Sequence, residues 1–102
     1  IDYKIFVIEQ SDSKPFNYGK LCNSAFHLLK DEYDYFCFHD VDMLPTSDKA
    51  DYSYKQYPTH LATRVQVHDN TLPYLQYLGG VVIFPKEDFE KICLNFHTML
   101  NN

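Results

Sequence analysis

The most informative segment of the chain is YFCFHDVDMLP, which runs from Tyr35 to Pro45. Its aromatic and apolar residues favour a pleated, mostly buried strand, and they predict a strand over residues 34–39. Because Pro45 cannot extend a central strand, the segment must end in a loop. Asp40 and Asp42 are therefore expected at the carboxyl end of a strand, where open α/β sheets place their ligand crevices.

These two carboxylates form a candidate metal site. Charges so close together repel one another unless a cation or a donor-rich ligand lies between them. Oxygen ligands suit hard divalent ions such as Mg²⁺ or Mn²⁺. The pair alone leaves a second interpretation open, in which Asp40 and Asp42 simply face water in a turn.

Length and composition indicate one small folded domain. The 102 residues are 45% hydrophobic and 17% aromatic, which provides apolar material for a core and argues against disorder. The net charge of −5 argues against a nucleic-acid surface, which needs a basic face. No apolar run is long enough to cross a bilayer, and no signal-peptide pattern occurs at Ile1. Because the chain opens in a strand-like segment without Met, we expect a piece of a longer protein.

The spacing of apolar residues predicts alternating strands and helices. Strands are expected over 3–8, 34–39, 60–67 and 78–84, and helices over 17–30 and 86–100. Asn17 is the expected N-cap of the first helix, and Pro85 opens the last one. The polar, tyrosine-rich segment 46–58 is expected to be a loop or a short helix. This order of elements predicts an α/β fold whose sheet is in part parallel.

Two further segments carry possible chemistry, each with an alternative that the residues leave open. The helix that starts at Asn17 favours a phosphate at its N-terminus, assisted by Lys20, unless Asn17 is only a cap. Tyr74 and Tyr77 precede Gly79-Gly80, an arrangement that suits a sugar ligand because tyrosines offer a flat apolar face with a polar tip. The alternative there is a core tyrosine pair beside an ordinary bulge.

Three segments in order match the patterns of one family. The pattern FNRAKLxNxGF is met by FNYGKLCNSAF at residues 16–26, FxDVDLxP by FHDVDMLP at 38–45, and LPYxQYFGGV by LPYLQYLGGV at 72–81. The chain thereby resembles the β-1,4-galactosyltransferases over about residues 3–92. The resemblance implies a GT-A-like fold, that is, an α/β, Rossmann-like, nucleotide-sugar-binding mixed sheet with flanking helices. The whole chain, 1–102, is then expected to be a single partial catalytic domain, incomplete at both ends.

What the resemblance implies chemically is Mn²⁺-dependent transfer of galactose from UDP-galactose to a carbohydrate acceptor, with inversion. Asp42 is similar to the residue that coordinates Mn²⁺, for which Mg²⁺ is a possible substitute, and Asp40 to the residue that contacts the donor ribose and sugar. Tyr77 corresponds to a gate that is tyrosine in galactose-specific members. The implied donor-binding set is Phe16, Asp40, Val41, Asp42, Tyr77 and Gly80, and the implied acceptor-binding residue is Tyr74. The metal would neutralise the leaving UDP while a carboxylate base deprotonates the acceptor hydroxyl.

The chain also departs from the family pattern. Tyr18 stands where the family has a phosphate-contacting arginine, and Val67 where it has a lysine. The block Trp-Gly-Trp-Gly-Gly-Glu-Asp-Asp-Asp, which supplies the acceptor site and the base, does not occur in the sequence, nor does the upstream nucleotide-pocket motif. The catalytic base and the second metal ligand, a histidine, are therefore expected outside this chain.

Three functions stay open at this point. The first is a galactosyltransferase catalytic domain, and the second is a truncated, inactive member that binds a sugar nucleotide or a partner. In the third, Asp40 is the nucleophile of a phosphotransferase loop with Mg²⁺ beside it, although such loops expect a threonine where Met43 and Leu44 stand.

Cysteine usage and sheet edges give two further expectations. Cys22, Cys37 and Cys93 form no Cys-x-x-Cys pair, so no zinc site is expected, and Cys22 and Cys37 are predicted to be inert buried thiols. The odd number and the lack of an Asn-x-Ser/Thr sequon favour a bacterial cytoplasm over the Golgi lumen of animal family members. Uncovered sheet edges predict marginal stability or self-association.

Overall fold

Two helices and a short sheet make up the regular structure of the residues that the structure describes. The computed structural model describes residues 2–46, 48, 50–61 and 80–92. In chain order the elements are helix α1 (Tyr18–Leu29) and strands β1 (Tyr35–His39), β2 (Thr59–His60) and β3 (Val81–Pro85). A second helix, α2, follows β3 directly and is described over 86–92.

Helix α1 begins where its polar flank predicts. Asn17 has an extended backbone, and its side chain accepts a hydrogen bond from the Lys20 amide at 3.0 Å. That bond satisfies one of the amide groups that a helix start leaves unpaired. The preceding loop is held by Gln10, whose side-chain oxygen accepts from the Asn17 amide at 3.0 Å. The predicted N-cap is confirmed, and the helix ends one residue before the predicted Lys30.

The sheet has the strand order β1-β3-β2, and both described pairings are antiparallel. Its register places His39 opposite Val81, and Thr59 opposite Ile83. The prediction of a partly parallel sheet is wrong for the described residues. A parallel pair needs a crossover connection. The predicted order of a strand over 3–8, a helix and a strand over 34–39 could supply one only if residues 3–8 formed a strand.

Residues 3–8 form no strand in the structure, contrary to the prediction. Ile5 and Val7 are exposed, and Phe6 packs edge-on against Tyr33 with ring centroids 6.0 Å apart. Strand propensity reflects how well a side chain fits a half-buried pleated surface. No described strand pairs with this segment, so its β-branched residues have no such surface to fit.

The remaining predicted elements are confirmed within the described residues. Strand β1 starts one residue after the predicted position, and β2 and β3 lie inside or beside the predicted strands. The other parts of those predictions, within 62–79, lie outside the described residues. Helix α2 begins directly after Pro85 as predicted, and the predicted stretch 93–100 lies outside the described part.

A cluster of phenylalanines joins both helices to one face of the sheet. Phe26 of α1 and Phe89 of α2 are buried, with ring centroids 4.8 Å apart. Phe36 and Phe38 of β1 approach them at 5.1 Å from Phe26 and 4.6 Å from Phe89, respectively. Because alternate residues of a strand face the same side, the next residue on this side after Phe38 is Asp40.

The other face of β1 carries Tyr35, Cys37 and His39, against which the segment 50–58 packs. This segment contains no helix among its described residues. Cys37 is exposed and Cys22 is half-buried on the phenylalanine cluster, so the prediction that both thiols are buried is wrong. Cys37 lies on the opposite side of the strand from the helices. Protein atoms around its sulfur nevertheless raise the pKa of the Cys37 thiol to about 11, which keeps it protonated and unreactive at neutral pH.

Among the described residues, no helix has the length and hydrophobicity that a bilayer crossing requires.

Candidate functional site

The two aspartates that follow β1 lie on a tight turn. The Met43 amide donates to the Asp40 carbonyl at 3.2 Å, which closes the turn over residues 40–43. Val41 exposes 91% of its side chain and Asp42 is also exposed, whereas Asp40 is half-buried. Within the described part of the chain, the Asp42 carboxylate takes part in no hydrogen bond or ion pair. The turn therefore presents one free carboxylate to solvent and holds the other closer to the protein.

Gly80 connects this turn to the third sequence motif. The Asp40 amide donates to the Gly80 carbonyl at 2.7 Å, extending the β1–β3 ladder by one bond. Gly80 is buried and has φ 76, a left-handed conformation that side chains with a Cβ rarely adopt. Tyr74 and Tyr77, the two tyrosines of this motif, lie outside the described residues. Of the predicted donor-binding residues, Asp40 and Gly80 are thus in direct contact.

The first motif approaches Asp40 from the helix side of the sheet. Burial raises the pKa of the Tyr18 phenol above its ordinary value, and the Cys22 thiol and the Asp40 carboxylate raise it further. Tyr18 is half exposed at the first position of α1. Since Asp40 follows Phe38 on the side that α1 covers, its carboxylate lies near this helix start. Tyr18 therefore presents a neutral phenol beside Asp40.

The start of α1 is the electropositive part of the site. The unpaired amide groups at a helix N-terminus and the helix dipole favour an anion there. Phe16 immediately precedes the N-cap and exposes 73% of its side chain. Exposure of a phenylalanine directly beside the helix start leaves its ring available to a flat ligand. The contact of Phe16 with a nucleotide stays a prediction.

Sequence reasoning missed the contribution of Tyr52. The ring of His39 stacks on the ring of Tyr52, with centroids 5.8 Å apart and an interplanar angle of 20°. The Nε2 atom of His39 lies 3.1 Å from the Tyr52 hydroxyl, and its Nδ1 atom lies 2.8 Å from the Asp40 carbonyl. No spacing signal links positions 39 and 52. Strand alternation puts His39 on the face of β1 opposite Asp40 but does not indicate which residue covers it.

The donor atoms on the turn are suited to a hard divalent ion. Carboxylate oxygens are the usual ligands of Mg²⁺ and Mn²⁺, and Asp42 is free to bind one. In the part of the chain that the structure describes, no three His, Cys, Asp or Glu side chains converge on one point. The described residues therefore form no closed protein metal site, although the Asp42 carboxylate is exposed on the turn.

Comparison with known proteins identifies the family. The model of the N-terminal region of glycosyl transferase group 7 matches residues 1–55. The chain belongs to this family. Its membership confirms the resemblance to the β-1,4-galactosyltransferases that the three motifs indicate.

Individual relatives agree with this result. β-1,4-Galactosyltransferase 1 of Mus musculus is 38% identical over 91 residues, covering 87% of this chain and 23% of the relative. β-1,4-Galactosyltransferase 4 of Homo sapiens is 39% identical over 94 residues, covering 90% of this chain and 27% of the relative. The chain thus spans about a quarter of the length of these curated relatives. No solved structure matches it.

The relatives also correct the predicted compartment. Proteins from Mus musculus, Bos taurus and Homo sapiens match the chain at 37–38% identity. The prediction of a bacterial cytoplasm is therefore wrong. It relied on a cysteine count and on missing sequons, which are weak indicators of a compartment.

Proposed function

We propose that this chain forms the donor-binding part of a galactosyltransferase and binds UDP-galactose together with a divalent metal ion. The observation that carries the proposal is the 2.7 Å hydrogen bond from the Asp40 amide to the Gly80 carbonyl. It joins two of the three family motifs at one end of the sheet, beside the helix start that belongs to the first. A ligand bound there can contact the two carboxylates, the backbone at Gly80 and the N-terminus of α1 at the same time.

Each group of the site suits one part of a nucleotide sugar. Asp42 would hold Mn²⁺, or Mg²⁺ in its place, and the ion when bound supplies charge neutralisation for the departing diphosphate. The N-terminus of α1 orients the same anion through its amide groups. Asp40, whose amide and carbonyl are hydrogen-bonded, would accept hydrogen bonds from sugar hydroxyls through its carboxylate. Phe16 supports the uridine, and Gly80 leaves room for the sugar because it has no side chain.

Calorimetric titration of the chain with UDP-galactose tests this proposal. One titration contains Mn²⁺, and the other contains a chelator in place of the metal. We expect binding that requires the metal, because the diphosphate otherwise meets two carboxylates of its own sign. UDP with Mn²⁺ is the matched control for the contribution of galactose. Absence of binding to the folded chain under all conditions would contradict the proposal.

The alternative, a family member that binds a ligand without turnover, is favoured by Tyr18. A neutral phenol takes the place of the positively charged side chain in the family pattern, beside Asp40. Diphosphate binding there lacks a charge-assisted hydrogen bond of the kind an arginine makes. Galactose transfer to a simple sugar acceptor by this chain would rule the alternative out, whereas metal-dependent binding without transfer would support it.

Replacing Tyr18 with arginine is expected to strengthen binding. The guanidinium adds a charged donor at the helix start, and hydrogen bonds to charged groups contribute about 1.5–3 kcal/mol, so we expect affinity for UDP-galactose with Mn²⁺ to rise about tenfold. Tyr18→Phe is the control, because it removes the hydroxyl without adding charge and should leave affinity within about twofold. Equal affinities for Tyr18→Arg and the unmodified chain would show that no phosphate lies near this position.

A further inference from the structure

The backbone of Asp40 is held at both of its polar groups. Its amide donates to Gly80, and its carbonyl accepts from the Met43 amide at 3.2 Å and from His39 Nδ1 at 2.8 Å. The Asp40 carboxylate takes part in none of these three bonds. The turn can therefore be fixed in place while its side chains stay available to a ligand.

The hydrogen bonds of His39 determine its tautomer. A carbonyl oxygen can only accept, so Nδ1 of His39 must carry the proton that is donated to Asp40. In the neutral ring Nε2 is then an acceptor, and the Tyr52 hydroxyl donates to it. A directed chain of hydrogen bonds runs from the Tyr52 hydroxyl through the His39 ring to the Asp40 carbonyl.

Tyr52 is itself anchored to the sheet. The Tyr35 hydroxyl donates to the Tyr52 carbonyl at 2.9 Å, and the ring of Tyr35 meets Tyr54 edge-on at 5.6 Å. The segment that carries Tyr52 is thereby fastened to β1 at both ends of the strand. Its hydroxyl is a fixed donor for His39, because its backbone is held independently of that contact.

We propose that His39 and Tyr52 are positioning residues that order the Asp40–Met43 turn for donor binding. The inference rests on the proposed function, since it names the residues that support the same site from the opposite face of the sheet. Neither side chain touches the ligand. They act through the Asp40 carbonyl and hold the turn in its binding conformation before the ligand arrives. Binding then does not have to order the turn, so the affinity is higher.

The first measurement uses the chain without any ligand. Amide hydrogen exchange of Met43, followed by NMR, reports how often the turn opens, and the capped Lys20 amide is an internal reference on α1. We expect His39→Ala to speed Met43 exchange about fivefold, the effect of one lost hydrogen bond, with Lys20 unchanged. His39→Asn should restore protection, because its side-chain amide can donate to the Asp40 carbonyl in place of Nδ1.

The second measurement is the affinity for UDP-galactose with Mn²⁺. We expect His39→Ala to weaken binding about five- to tenfold and Tyr52→Phe, which keeps the stacked ring, about two- to fivefold. Tyr57→Phe is the matched control, since Tyr57 lies in the same segment and exposes 70% of its side chain. It should bind like the unmodified chain.

The outcomes separate this inference from the proposed function. If the unmodified chain binds no donor, the proposed function fails, and the exchange rates still show whether His39 orders the turn. If His39→Ala does not fold, Tyr52→Phe decides, because His39→Asn is expected to keep the bond to the Asp40 carbonyl. The inference would be overturned if Tyr52→Phe had the same Met43 exchange and donor affinity as Tyr57→Phe, and if any folded His39→Ala sample showed no loss.

Discussion

Replacing Asp42 with asparagine is expected to abolish metal-dependent binding of UDP-galactose. Asparagine keeps one oxygen but loses the negative charge that attracts a hard divalent ion. Mutation of residues that merely support a metal ligand commonly costs about 10–100-fold in affinity, so loss of a charged ligand is expected to cost about 100-fold or more. Calorimetry with UDP-galactose over a series of Mn²⁺ concentrations measures the change.

The controls for Asp42→Asn are straightforward because of where this residue lies. Its carboxylate is exposed and engages no partner among the described residues, so the thermal unfolding midpoint should not fall. Asp31→Asn removes one negative charge beyond the opposite end of α1 and should leave binding unchanged. If Asp42→Asn retains the same Mn²⁺ dependence as the unmodified chain, Asp42 is not a metal ligand and another group must hold the ion.

The sequence predicted the local structure well where neighbouring residues determine it. Asn17 caps α1 through a bond to an amide three positions away, and Pro45 lies beyond a strand that ends at His39. The placement of Asp40 and Asp42 on a turn after β1 follows from the same local signals. These features depend on backbone hydrogen bonding and side-chain size over a few residues, which a single sequence displays directly.

The failures concern contacts between distant segments. Residues 3–8 have the composition of a strand, yet a strand forms only where a neighbour pairs with it, and none of the described strands does. The antiparallel pairing of β1 with β3 joins residues more than forty positions apart. The stacking of His39 on Tyr52 likewise joins residues that are 13 positions apart in the sequence. Composition and periodicity indicate what a segment prefers and do not identify its partner.

The contacts of His39 and Tyr52 behind the turn were therefore harder to predict than the turn itself. The family motifs indicate Asp40, Asp42 and Gly80 as site residues, and these assignments stay predictions. Tyr52 supports the turn through a hydroxyl and a ring, and the surrounding segment gives no periodic signal that would single it out. Only the structure shows that His39, stacked on Tyr52, meets the Asp40 carbonyl from the face of β1 opposite the phenylalanine cluster.

The largest expected loss of stability follows from replacing Phe26 with alanine. Phe26 is fully buried, at 0% exposure, and its ring meets Phe36 and Phe89 edge-on at 5.1 and 4.8 Å. Truncating a buried phenylalanine costs about 3–5 kcal/mol, from lost burial and from the cavity that remains. Native domains are stable by only about 5–15 kcal/mol, so the variant should be largely unfolded or unfold at a much lower urea concentration.

Leu28→Ala is the matched control for this prediction. Leu28 lies on the same helix, exposes 80% of its side chain and is replaced by the same residue, so helix propensity favours neither variant by more than a few tenths of a kcal/mol. Its unfolding free energy should stay within about 0.5 kcal/mol of that of the unmodified chain. Urea unfolding followed by circular dichroism compares the two midpoints. Equal shifts for Phe26→Ala and Leu28→Ala would mean that the phenylalanine cluster does not hold the helices on the sheet, and the approach of α1 to Asp40 would then lose its structural basis.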